Sequence, residues 1–297
     1  MNALGYLEKY IHYIQSEKRY SGHTITAYQS DVNYFIDFLN ITTSNDLCNV
    51  QKDQVRSWLL HLHNQSFEAK TINRKIISLR RFFNFLESEF NLKQNPFSRV
   101  NALKSKKRIP VFVKEEDLTL EKIHTLFNQD FNGQRDKIMF ELFYQCGIRL
   151  SELIELKIND IEKYQIKVLG KRNKERIIPI SENFYKEIQN FIKLNFNIIK
   201  DNFHLLTLFN GNKLYPKFVY RKINYYLSVV TNVERKSPHV LRHTFATHML
   251  NNGAGLETLK ELLGHADLTA TQVYTHSSFA GLSKIYSSAH PRGHKNK

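Results

Sequence analysis

The sequence has 297 residues, enough for one or two domains with a full core and no need of disulfide or metal staples. Lys and Arg number 43 against 28 Asp and Glu, a formal net charge of +15, while hydrophobic residues make up 41% and aromatics 12%. That balance excludes a disordered basic tail and points to a polyanionic partner, with nucleic acid first and an anionic membrane surface second.

Two cysteines, Cys48 and Cys146, exclude a disulfide framework and a cysteine-based zinc site. The opening MNALGYLEKYIHYIQ lacks the basic-then-apolar build of a signal peptide. No uncharged apolar run of about 18 residues occurs, so no membrane span is expected. The expectation is a reduced, soluble, cytoplasmic protein.

The first hundred residues read as helical. Leu4, Leu7, Ile11 and Ile14 fall on one helix face. Ser21 and Gly22 break the chain, and Ser21 suits an N-cap for a second stripe of Ile25, Tyr28, Val32, Phe35 and Leu39. Val55, Trp58, Leu59 and Leu62 form a third stripe. Ile72, Ile76, Leu79, Phe83, Leu86 and Phe90 form a fourth, the longest. Four such helices make a small bundle. The fourth also carries Lys70, Arg74, Lys75, Arg80 and Arg81 on or near its other side. That is either a solvated face or a helix laid against DNA phosphates, and the net charge favours DNA.

Asn95-Pro96 ends the helical region. Residues 98–114, with Arg99, Lys104, Lys106, Lys107, Arg108 and Lys114, read as a basic interdomain linker that can follow a phosphate backbone. Beyond it the pattern is mixed. Helices are expected over 118–127 and 136–145. Ile166 and Val168, then Ile177, Ile178 and Ile180, fit two strands joined by a charged tip at 170–175. Helix returns over 182–196, a second small hairpin is expected over 205–214 around Asn210-Gly211-Asn212, and the rest is helical to about Tyr286.

The nucleotide motifs are missing: Gly170-Lys171 has neither the upstream glycine nor the Ser/Thr of a P-loop, and no GxGxxG follows a strand. No cofactor is expected. His239 and His243 stand four apart, but Val240 follows His239 where the metalloprotease pattern needs Glu, so no metal is expected. Ser237 and Pro238 suit an N-cap and a first helical position, which puts His239 in the first turn and Arg242 one turn later on the same face. A helix N-terminus with an imidazole and a guanidinium makes a phosphate site, unless both are merely surface residues. Arg149 sits at a bend after Gly147. It either pairs with Glu152 or joins a second arginine on one phosphate, where each guanidinium can donate two hydrogen bonds. Gly264 looks like a helix C-cap, followed by His265 and, nine residues on, by Tyr274.

In this order these residues resemble the tyrosine recombinases, most closely the Xer branch, over nearly the whole chain. The family pattern of Arg, hairpin Lys, His-x-x-Arg, His and Tyr falls on Arg149, Lys171, His239 with Arg242, His265 and Tyr274. The resemblance implies a mainly α protein. A four-helix, SAM-like core-binding domain would cover 1–97, and an α+β catalytic domain with a small β-sheet would cover 115–297. Tyr274 is then the nucleophile that forms a 3′-phosphotyrosyl bond, and Arg149 and Arg242 clamp the scissile phosphate. Lys171 is the general acid, His239 assists the tyrosine proton and His265 bonds a non-bridging oxygen. One departure is Arg172, which stands where the family hairpin often has a turn glycine; it joins the expected DNA contacts.

The implied partners are double-stranded DNA, a homo- or hetero-tetramer with a paralogous, XerD-like recombinase, and a DNA translocase of the FtsK type. No membrane partner is implied. The implied task is resolving chromosome dimers at a dif-like site; a phage or transposon integrase or an invertase has the same chemistry. A type IB topoisomerase would religate the same strand, and a basic DNA-binding protein without catalysis would leave the six-residue pattern unexplained. Phe279, Leu282, Ile285 and Tyr286 have helical spacing, for a tail that docks on a neighbouring subunit or packs on its own domain.

Overall fold

The computed structural model describes residues 2–92, 94–104, 111–170, 174–199, 203–264 and 276–293. The chain divides into two compact units, Met1–Arg108 and Ile109–Lys297.

In the first unit the helices are α1 (Ala3–Ser16), α2 (Gly22–Phe38), α3 (Ser44–Cys48), α4 (Lys52–Asn64) and α5 (Ala69–Phe90). The four expected stripes correspond to α1, α2, α4 and α5. The short α3 has no stripe of its own: it is one turn held by a capping box between Thr43 and Asp46, with Leu47 buried. Ser21 caps α2 as expected, its hydroxyl accepting from the Thr24 N–H at 3.4 Å. The core is aromatic. Trp58 is fully buried and meets Phe35 edge to face at 5.2 Å and Phe97 at 5.9 Å.

Phe97 ends the first unit's aromatic core, and the chain after it is still held on α5. Just beyond Phe97, Arg80 donates to the carbonyls of Phe97 (3.1 Å) and Val100. The Asn73 amide exchanges two hydrogen bonds with the Leu103 backbone, at 2.9 and 2.7 Å. Residues 98–103 therefore belong to the first unit, stitched to α5 by polar side chains that carry no hydrophobic periodicity. At the other end of the linker, Val113 belongs to the second unit. It is buried, its N–H donates to Thr244 Oγ1 (2.9 Å), and its carbonyl accepts from His248 Nε2 (2.9 Å).

In the second unit a 3₁₀ turn (Glu115–Leu118) leads into α6 (Leu120–Leu126) and α7 (Phe131–Cys146). α7 is buried along nearly its whole length, so its polar residues are paired inside. α8 (Leu150–Glu155) follows. Then β1 (Ile161–Glu162), β2 (Gln165–Leu169) and β3 (Glu175–Pro179) form an antiparallel sheet in that order. The expected strand pair is β2 and β3, in a register from Gln165↔Pro179 to Leu169↔Glu175.

α9 (Glu182–Ile199), α10 (Pro216–Val230), α11 (Pro238–Asn251), α12 (Leu256–Leu263) and α13 (His276–Ala289) complete the unit. The expected second hairpin is a single bridge, Thr207↔Lys213, closed by Leu208 N–H donating to the Asn212 carbonyl at 2.8 Å. Its turn chemistry is that of a hairpin, but the flanks do not extend into a ladder.

α13 packs on its own unit rather than presenting a free docking face. Leu282, Tyr286 and Ala289 are buried, and Tyr286 Oη donates to Gln145 Oε1 at 3.3 Å. The fully buried His290 follows, donating from Nε2 to the Tyr144 carbonyl at 3.1 Å while its Nδ1 accepts from the Arg292 N–H. Burial pushes the His290 imidazole down to about 3, so it packs neutral.

Candidate active site

Two backbone stops build the site. α7 ends at Gly147, whose φ of +56° is the left-handed conformation that glycine adopts freely. A Cβ there would lie 2.5 Å from the Phe245 ring. The chain turns at once, and Arg149 becomes the N-cap of α8. Its backbone N–H donates to Glu152 Oε2 (2.7 Å), and its side chain donates from Nη1 to Glu152 Oε1 (2.7 Å) and from Nη2 to the Gly264 carbonyl (3.0 Å). The second stop is Gly264, the C-cap of α12 with φ +63°.

Arg242 arrives from α11. Pro238 occupies the first turn as expected, but the Ser237 side chain makes no cap hydrogen bond. Arg242 donates from Nη1 to the Gly147 carbonyl and from Nη2 to the Leu263 carbonyl at 2.8 Å. Both expected clamp arginines thus hold the last carbonyls of α12, just before His265 in the sequence. The partial negative charge of a helix C-terminus suits them there. Burial, with the charges of Arg149 and Arg176, lowers Arg242 to about 10, which still leaves it fully protonated at neutral pH. His239 is exposed in the first turn of α11. Lys171, Arg172, His265 and Tyr274 lie outside the described residues.

The Arg149–Glu152 pair and the two-arginine cluster, posed as alternatives by the sequence, are both present. Arg176, which no motif in the sequence marks, makes this compatible. It is 3% exposed on β3. It donates from Nη1 and Nη2 to the two Glu152 oxygens (2.8 Å each) and from Nε to the Leu262 carbonyl (2.8 Å). Burial alone would raise the Glu152 carboxyl; the bonds and charge of Arg176, with those of Arg149, outweigh it and hold Glu152 at about 2. The available signal was strand parity: Arg176 and Ile178 share the inward face of β3, and a charge on an apolar face needs a buried partner.

Together Arg149, Arg176 and Arg242 oppose the single carboxylate of Glu152. The surplus positive charge, fixed on main-chain carbonyls, suits a phosphate. Among the described residues no group of three or more His, Cys, Asp or Glu is placed to hold a metal ion.

The expected DNA contacts on α5 separate into two sets. At 100° per residue, positions 70, 74 and 81 lie within about 40° of one another. Lys70, Arg74 and Arg81 are all exposed there. Arg81 donates to Tyr20 Oη, and its guanidinium lies 5.4 Å from the Tyr20 ring centroid.

Lys75 corrects the expectation. It is 5% exposed, its amine donates to Asp31 Oδ1 at 3.1 Å and sits 4.4 Å from the Tyr34 ring centroid. Asp31 is 1% exposed and also accepts from Ser78 Oγ (2.7 Å) and Arg74 Nη1. Lys75 is therefore a core ion-pair partner, shielded from any phosphate. Arg80 is half-buried and committed to the Phe97 and Val100 carbonyls, so it too serves packing. Lys106 and Lys107 lie outside the described residues.

Comparison with known proteins follows this division. Residues 116–280 match the phage integrase family, and residues 7–89 match the N-terminal SAM-like domain of phage integrases. The chain is 37% identical over 305 residues to the tyrosine recombinase XerC of Bacillus licheniformis, covering 100% of this chain and 99% of that protein. It is 36% identical over 301 residues to XerC of Listeria innocua, covering 98% and 100%. Among solved structures it resembles XerH bound to a palindromic difH substrate in a post-cleavage complex (TM-score 0.71, 20% identity, 95% of this chain and 83% of that one). It also resembles a lambda integrase dimer bound to a COC′ core site (TM-score 0.69, 16% identity, 100% and 80%).

Proposed function

This chain belongs to the phage integrase family of tyrosine recombinases, and from that premise we propose that it resolves chromosome dimers by recombination at a dif-like site, with Tyr274 as nucleophile. The observation that carries the reading is the Arg149–Arg242 pair, anchored on the carbonyls of Gly264 and Leu263 at the point where the sequence runs on to His265 and Tyr274.

The Tyr274 phenolate attacks a phosphodiester in line. The bond from phosphorus to the 5′-oxygen breaks, and a 3′-phosphotyrosyl bond forms. Arg149 and Arg242 donate to the non-bridging oxygens, where charge builds in the transition state. Lys171 gives the leaving 5′-oxygen its proton, His239 helps remove the tyrosine proton and His265 bonds a non-bridging oxygen. The 5′-hydroxyl of a second duplex then reverses the step, so one phosphodiester replaces another and no nucleotide hydrolysis is required.

The first unit grips the duplex through the Lys70–Arg74–Arg81 stripe. Recombination joins two duplexes, so the working form is a tetramer, with a XerD-like paralogue as the partner subunit and a translocase of the FtsK type as activator.

A double-stranded DNA carrying a dif-like site, nicked just beyond the cleavage position, tests this. Wild type gives a covalent protein–DNA band on a denaturing gel. Tyr274→Phe binds the same DNA and gives none; an adduct in that variant moves the nucleophile elsewhere.

A further inference from the structure

Arg176 ties the start of α8 to the end of α12. Its guanidinium takes both Glu152 oxygens, and its Nε holds the Leu262 carbonyl of α12. It fits a slot between two glycines. A Cβ at Gly264 would lie 3.1 Å from Arg176 Cδ, and one at Gly170, at the end of β2, would lie 3.5 Å from Nη1. Glu152 in turn holds the backbone and side chain of Arg149.

Without Arg176 the only guanidinium left on this buried carboxylate among the described residues would be Arg149. The reacting phosphate would then meet an arginine already neutralised from behind. From this geometry, resting on the recombinase reading above, we propose that Arg176 is a positioning residue that supplies the counter-charge of Glu152, leaving the charge of Arg149 to the scissile phosphate.

The charges give a signed expectation. Arg149, Arg176 and Arg242 against Glu152 leave a surplus of two positive charges. Arg176→Gln cuts the surplus to one, and adding Glu152→Gln restores it to two. Arg176→Lys keeps the charge and loses the fork.

The test is single-turnover cleavage of the nicked DNA, with either a normal scissile phosphate or an uncharged methylphosphonate in its place. On the phosphate, Arg176→Gln is expected to slow adduct formation about ten- to a hundred-fold, with DNA affinity within about twofold of wild type. On the methylphosphonate, which carries one negative charge fewer than the phosphate in both ground and transition states, the defect shrinks to about threefold or less. The double variant recovers most of the phosphate rate, and Arg176→Lys keeps most of it.

Loss of equal size on both substrates marks a purely structural role and overturns the proposal, as does wild-type cleavage by Arg176→Gln. If Arg176→Gln does not fold, the double variant and Arg176→Lys decide: slow cleavage by both folded proteins overturns the counter-charge role. No adduct with wild type overturns the recombinase reading and this proposal with it. A wild-type adduct with unimpaired variants overturns only the role of Arg176.

Discussion

Replacing Asp31 by Ala removes the carboxylate that holds Lys75 inside the first unit. Asp31 is 1% exposed and accepts from Lys75, Ser78 and Arg74; only Arg74 reaches solvent, with 44% of its side chain exposed. The Lys75 ammonium would stay buried, with the Tyr34 and Phe67 rings as its remaining favourable neighbours. Breaking a buried pair from one side costs about 3–5 kcal/mol. For a unit of this size 1 kcal/mol shifts the midpoint by about 4–8 °C, so a fall of roughly 12 °C or more is expected.

The single tryptophan, Trp58, lies at 0% exposure in that unit's core, so its fluorescence reports on this unit within the full chain. Urea unfolding followed at the tryptophan measures the loss. Lys75→Met added to Asp31→Ala should return more than half of it, because the stranded charge is gone. A loss under about 1 kcal/mol for Asp31→Ala, or no recovery in the double variant, would refute the buried-pair argument.

Three further outcomes are expected. Arg149→Ala and Arg242→Ala should each lower the single-turnover cleavage rate about 100- to 1000-fold while changing DNA affinity less than about threefold, read by adduct formation beside a gel shift. Arg74→Ala and Lys70→Ala should each reduce the slope of log affinity against log salt by about 0.9, and Lys75→Met should leave it unchanged; a slope change for Lys75→Met would place its amine on DNA. Glu152 titrates at about 2 in the folded chain against an ordinary 4.5, so its contribution is complete above pH 4.5 and is lost as the pH falls towards 2. Acid unfolding of wild type should be steeper across that window than that of Glu152→Gln.

The sequence made the elements legible wherever a stripe of apolar residues had to be buried. The α5 stripe is an example: five of its six positions, Ile72, Ile76, Leu79, Phe83 and Leu86, are buried, and Phe90 is half-buried. It could not show which charges go inside. Lys75 and Arg81 read alike as basic residues on one helix, yet Lys75 meets Asp31 from α2, 44 positions away, while Arg81 lies exposed over Tyr20. Long-range polar pairing has no period, so no window of sequence reveals it. Arg149 and Arg242 were found through glycine and proline punctuation, because Gly147 and Pro238 set the backbone that presents them. Arg176 is hidden among the charges of the hairpin tip: it follows them directly in sequence, paired with Val168 one step in from the tip, and only the inward face of β3 sets it apart.

The anchoring of Arg149 and Arg242 has a consequence for how a ligand can be held. A guanidinium carries five N–H donors. Among the described residues each of the two arginines commits two of them, Arg149 to Glu152 and Gly264 and Arg242 to Gly147 and Leu263. That leaves three on each, six in all, to meet the two non-bridging oxygens of a single phosphodiester. An incoming phosphate therefore need not displace a scaffold bond to be gripped, and the scaffold bonds keep both planar forks from rotating away between one strand and the next.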